Sequence, residues 1–185
     1  MTGGSGTAVA AVVAVAALLA LLVVVVRIRN GLVAHREAVA EARRQVDVQL
    51  RRRHDVVPAL VRVVEAYLAH ERELLVRVAS ARSAAVAAVG APPAATSAAE
   101  NRLTAALGDL RGVVEAYPRL RSGAMVLRLQ EDLTSAENRI AFARQFHADA
   151  VMRYNTAREE FPQALLAGPL GFRAAGYLEL ELPGR

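Results

Sequence analysis

The stretch Ala8–Val26, AVAAVVAVAALLALLVVVV, is uncharged, lacks Pro and Gly, and contains only Ala, Val and Leu. At 1.5 Å per residue, about 19 residues span about 28 Å, close to the ~30 Å hydrocarbon thickness of a bilayer. Each Val or Leu favours insertion by about 0.3–0.6 kcal/mol near the bilayer centre, so a dozen of them give several kcal/mol. A water-soluble helix that is apolar on every face needs a large protein around it, and 185 residues do not supply one. The stretch therefore predicts a transmembrane helix over 8–26, after a short tail over 1–7. A cleaved signal peptide fits less well. Its n-region should be positive and its apolar core should end in small residues, but Met1–Thr7 carries no charged side chain and Arg27-Ile28-Arg29 follows the core. Ala10 with Ala14 and Ala16 with Ala20 have the small-xxx-small spacing of packed membrane helices. In so Ala-rich a segment this leaves homo-oligomer formation open.

Working outward, no Lys or Arg precedes the span, while Arg27, Arg29 and Arg36 follow it as a juxtamembrane basic group. The positive-inside rule then predicts a single-pass protein of the cell membrane with its N-terminus outside and the rest cytoplasmic. All 23 basic residues are Arg, and the net charge is +5. Arg27, Arg29, Arg36, Arg43, Arg44, Arg51, Arg52 and Arg53 outnumber Glu37, Glu41, Asp47 and Asp55 between 27 and 57. Aromatic residues make up 4% of the chain and are not interleaved with this basic run, so nucleic acid is not an expected partner. With no Cys, disulfides and thiolate chemistry are excluded.

Downstream of the span the apolar pattern turns helical. Leu32, Val39, Val46 and Leu50 form one stripe, with Arg43 and Arg53 at further positions of it. Pro58 disfavours helix at the residue before it, so a break is expected over 54–57, with Pro58 opening a new helix and Asp55 helping to cap it. That second helix should run to about Val89 on Leu60, Val64, Tyr67, Leu74 and Val78, flanked by Val61, Leu68 and Leu75, and Gly90-Ala91-Pro92-Pro93 should end it. A third is expected over about 99–117 on Leu103, Leu107, Leu110, Val114 and Tyr117, and a fourth over about 125–161 on Val126, Leu129, Leu133, Ala136, Ile140, Ala143, His147, Ala150 and Tyr154. Asp47 with Arg51, Glu73 with Arg77 and Asp149 with Arg153 have favourable i,i+4 spacing. The predicted fold is all-α: a transmembrane helix followed by an antiparallel bundle of four long helices over 27–161, coiled-coil-like in its seams. Gly31 is the candidate swivel between span and bundle. An irregular, loosely packed extension follows over 162–185, in which Tyr177–Leu182 alternates like a strand without an obvious pairing partner.

Catalytic and metal patterns are mostly absent. The residues three before His35, His54, His70 and His147 are Leu32, Arg51, Tyr67 and Arg144, so the Glu-x-x-His of di-iron bundles is missing. His70-Glu71 begins a zinc-protease motif, but Leu74 stands where its second His belongs. No cofactor is expected, and neither is enzyme activity. What remains is a set of polar residues at or near core positions. Arg53, Asp55, Glu71, Glu137 and His147 are the candidate buried polar network, either as satisfied structural pairs or as a site for a ligand or partner.

Longer motifs then stand out. Gln45–Val61 (QVDVQLRRRHDVVPALV), Tyr117-Pro118-Arg119-Leu120, Leu129-Gln130-Glu131-Asp132-Leu133, Glu137-Asn138-Arg139-Ile140-Ala141, Tyr154-Asn155, Phe161-Pro162 and Gly171-Phe172 resemble the LemA family, from Asn30 to about Glu179. The resemblance implies a bacterial single-pass membrane protein with a bundle of long helices, and it implies no activity, because no catalytic residues are established for the family. Arg29, Arg43, Ala59 and Phe146-His147 depart from the family's usual Tyr, Trp, Asn and Tyr-Asn at those places. The functional expectation is a membrane-anchored scaffold or adaptor that binds as yet unidentified protein partners. The alternative is a membrane module sensing a small ligand or envelope stress.

Overall fold

A computed structural model describes residues 3–67 and 71–181. Leu68, His70 and Leu182, three positions used in the sequence reading, lie outside the described residues. The described residues form six helices and no strand: α1 Gly3–Glu65, α2 Arg72–Ala87, α3 Pro93–Ala116, α4 Pro118–Arg121, α5 Ala124–Glu159 and α6 Gln163–Ala167. The all-α expectation holds. From Val9 to Val24 the large apolar side chains of α1 stand exposed, and this helix is long and apolar enough to cross a membrane. That is consistent with a single membrane anchor.

The helix boundaries differ from the expectation in one important place. α1 runs without a break through both Gly31 and Pro58. Asp55 caps nothing and is an exposed mid-helix residue. The break falls instead between Glu65 and Arg72, so Tyr67 is exposed rather than part of a seam. A proline inside a helix removes the hydrogen bond its N–H would give to the carbonyl four residues back. Here that carbonyl is His54, and the Nε of Arg82 on α2 donates to it at 2.7 Å. The guanidinium thus supplies the donor that Pro58 lacks. Replacing Arg82 with methionine is expected to cost about 1–3 kcal/mol, because a buried acceptor loses a charged donor. In a Pro58→Ala background, where residue 58 can donate again, the same substitution should cost less than half as much. A double-mutant cycle in urea checks this.

The chain divides into two compact units. Met1–Val39 with Met152–Ala175 is one of them. Its core gathers Ile28 and Leu32 with Tyr154, Ala167 and Phe172. The Tyr154 hydroxyl donates to the Arg173 carbonyl at 2.8 Å, and Asn155 exchanges two hydrogen bonds with the Ala175 backbone at 3.0 and 2.9 Å.

Ala40–Val151 with Gly176–Arg185 is the other unit. Arg43 reaches Thr96 while Arg53 reaches Thr104, so α1 and α3 run the same way here. α5 runs oppositely: Val46 and Leu50 share a core with Ile140 and Ala143, whereas Val57, Leu60 and Val64 share one with Val126, Leu129 and Leu133. The short 88–92 turn, with Gly90 at φ +80°, returns α2 onto α3. The main core joins Val57, Leu60 and Val64 of α1 to Leu75 and Val78 of α2, Leu103, Leu107 and Leu110 of α3, Leu120 of α4 and Leu133 of α5. A second cluster brings Val46 and Leu50 against Ile140 and Ala143, and closes them with Leu178 and Leu180.

The C-terminal segment is therefore not loosely packed. Phe172, Leu178 and Leu180 are buried, each in the core of its own unit. The alternation of Tyr177–Glu181 has a structural meaning, but its backbone partners are side chains rather than a neighbouring strand.

A candidate site sealed inside the bundle

α1 places Arg53 and His54 side by side, both buried, facing Glu100 and Thr104 on α3. The Arg53 Nη2 donates to Glu100 Oε2 and Nη1 donates to Thr104 Oγ1 at 3.1 Å. His54 Nε2 lies 2.8 Å from Glu100 Oε1, a separation at which it donates to the carboxylate. Glu100 thus uses one oxygen for each base. Arg53 Nε and His54 Nδ1 are buried without a hydrogen-bond partner among the described residues. Burial pushes the Glu100 carboxyl up, but the His54 hydrogen bond and the charges of Arg53 and His54 outweigh it and hold the group below its ordinary value.

Two further polar sites lie in the same unit. Glu137 is buried on α5 with Arg111 of α3 at 3.5 Å. Burial raises its pKa, against the opposing charges of Arg111 and Arg53. Arg43 donates to Asp47 Oδ1 at 3.1 Å, to Thr96 Oγ1 at 2.7 Å and to the Ala91 carbonyl at 3.3 Å. Asp47 therefore pairs four residues back rather than forward to Arg51. Asp149 likewise accepts from Gln145 at 3.0 Å. His147 is buried, and its pKa is lowered first by burial and then by the Arg43 charge, against the pull of Asp47.

Of the five network residues named from sequence, Arg53, Glu137 and His147 are buried. Asp55 is exposed, because it lies two helical positions beyond Arg53 on the outward side of α1. Glu71 is half-buried at the N-cap of α2, in the connection after α1, and does not join Arg53. The partners sequence reasoning missed are His54 and Glu100. Arg27, Arg29 and Arg36 are exposed, and the Arg36 guanidinium stacks 5.5 Å from the Phe172 ring centroid.

None of four surface grooves of about 380–520 Å³ is lined by Arg53, His54 or Glu100. Among the described residues no three His, Asp or Glu side chains converge as a metal site. The cluster's chemistry is to neutralise charge inside the bundle and to fix α1 against α3.

The sequence profile of the LemA family matches residues 42–184. The chain belongs to the LemA family. The match takes in α2 to α6, the segment Gly176–Glu181 and the part of α1 that carries Arg53 and His54, so the sealed cluster and that segment both lie inside the LemA region. A search of curated proteins finds no match.

The pKa directions predict the acid behaviour of this LemA bundle. A group whose pKa is depressed on folding stabilises above its unfolded pKa and loses that stabilisation as pH falls through the folded value. For His147 the loss begins below about pH 6.5, and for Glu100 below about pH 4.5. Glu137, shifted upward, has the opposite sign and favours the fold in acid. Thermal unfolding should therefore show Tm falling below pH 6.5 in the wild type, with a flatter profile down to pH 4.5 in His147→Gln.

Proposed function

We propose that this LemA protein is a single-pass, membrane-anchored helical adaptor, with residues 8–26 in the bilayer and the bundle in the cytoplasm, that presents its helical surface to protein partners and carries no enzyme activity. The arginines that flank the span on one side only support the orientation. The observation that carries the adaptor role is the contrast between the inside and outside of the bundle. Arg53, His54 and Glu100 are buried and paired with one another, whereas Val48, Phe142 and Phe146 stand exposed at 56%, 78% and 51% around a groove of about 380 Å³. Exposed apolar side chains grouped in this way mark interaction surfaces. A small-ligand sensor built on Arg53, Glu71 and His147 has less support, because Arg53 is committed to Glu100 and Glu71 lies elsewhere.

A photoreactive phenylalanine analogue at position 142, illuminated in membranes, tests the reading. The adaptor predicts a discrete adduct of defined mass that is absent when the probe sits at Glu131, an exposed position on the same helix. The same smear at both positions, or no adduct at either, contradicts it.

A further inference from the structure

The segment Gly176–Glu181 is held in an unusual way. Asn101 of α3 gives its Nδ2–H to the Glu179 carbonyl at 3.0 Å and accepts from the Glu181 N–H at 2.8 Å. One turn earlier on the same helix, Ser97 Oγ accepts from the Glu179 N–H at 3.0 Å. Arg144 of α5 donates to the Leu180 carbonyl at 3.4 Å. Every one of these bonds reads backbone, and each comes from a side chain anchored on a helix. Leu178 and Leu180 meanwhile bury themselves against Val46, Leu50, Ile140 and Ala143. Extended-peptide recognition has this logic: main-chain hydrogen bonds hold the strand, and pockets at alternate residues select its side chains.

The groove is also larger than the segment lying in it. A space of about 520 Å³ remains beside the chain, lined by Pro92, Pro93, Ser97, Asn101, Tyr177 and Glu179 among others, and Tyr177 stays 47% exposed at its edge.

We infer that this groove is a recognition site for an extended Leu-x-Leu peptide segment of a partner protein, occupied in cis by the chain's own Tyr177–Glu181. The inference rests on the adaptor reading and adds the chemistry of the partner. The incoming segment needs an N–H and a carbonyl at the residue between its two leucines, for Ser97 and Asn101, and a second N–H one residue after the last leucine, for Asn101. A tethered segment competes at an effective concentration in the millimolar range, so the cis tail is a strong competitor. A partner binds measurably once the tail is weakened or released.

The test uses the full chain in detergent micelles and a fluorescent, end-blocked peptide with the sequence of Ala175–Glu181, AGYLELE. The peptide should bind the Leu178→Asp/Leu180→Asp protein at least tenfold more tightly than the wild type. Adding Asn101→Leu should cut that binding at least tenfold, and the peptide with both leucines replaced by serine should not bind. If the double Asp variant loses its helical circular dichroism, a protease site placed after the exposed Arg173 replaces it. Cleavage after folding should then let the labelled peptide exchange for the tail. Equal affinity for intact and tail-released protein, or indifference to Asn101→Leu, overturns the proposal. The crosslink at position 142 reads a different surface, so its outcome is independent of this one.

Discussion

Replacing Glu100 with leucine is expected to lower the unfolding free energy by about 3–5 kcal/mol, because removing one partner of a buried ion pair leaves the other uncompensated. Arg53 is 2% exposed and Glu100 1%, so water cannot take over the role of the carboxylate. His54 loses its acceptor in the same step. The size of the loss does not mean that the pair is strongly stabilising, since desolvating both charges offsets much of their attraction. Well-packed apolar replacements of buried pairs are often neutral or better. The double variant Arg53→Met/Glu100→Leu should therefore recover most of the stability lost by the single one. Denaturant unfolding of the four proteins in the cycle measures both quantities. A double variant as unstable as the single would show that the cluster holds the bundle through more than charge balance.

Placing two arginines in the span should have an even larger effect. Val15→Arg/Leu19→Arg puts both charges on one face near its centre, at positions that are exposed in the absence of lipid. Each arginine costs about 2.5–3.5 kcal/mol at the middle of a membrane helix, so the pair costs about 5–7 kcal/mol. Since about 1.4 kcal/mol is a factor of ten, the membrane-bound to free ratio should fall by more than a thousandfold. Alkaline extraction of membranes reads the result directly: the wild type stays in the pellet and the variant moves to the supernatant. Ala34→Arg, an exposed substitution beyond the span, should stay in the pellet.

Much of this architecture was legible in the sequence, and the exceptions have physical reasons. The apolar run of 8–26 and the long seam of α5 follow from composition and period alone. The unbroken α1 was legible too, in the phase of its core positions. Val46, Leu50, Arg53, Val57, Leu60 and Val64 keep a four-three alternation straight through Pro58, and all six are buried. The local preference of the residue before proline pointed to a break. It was overridden by tertiary packing on both sides and by Arg82, twenty-eight residues after His54 in sequence but beside it in space. Nothing in the sequence near Pro58 announces that donor.

Glu100 was hidden for a related reason. The Ala/Thr/Ser run before it reads as a loop, yet α3 already starts at Pro93. Extending the seam of Leu103, Leu107, Leu110 and Val114 backward by the same alternation lands on Glu100 and then Thr96, which are both buried. A charged residue on an apolar stripe was the available signal. The C-terminal segment shows a different limit. Its alternation marks which side chains are buried, but sequence alone has no rule that assigns Asn101 and Ser97 as backbone partners some eighty residues away.

The most direct test of the account as a whole is the topology of the C-terminus. A reporter fused after Arg185 that works only in the cytoplasm, paired with one that works only outside it, reads the side on which the bundle lies. An anchored cytoplasmic adaptor predicts activity from the first fusion and silence from the second. Activity from the outside reporter alone would contradict it and would place the bundle, and every partner it meets, on the other side of the membrane.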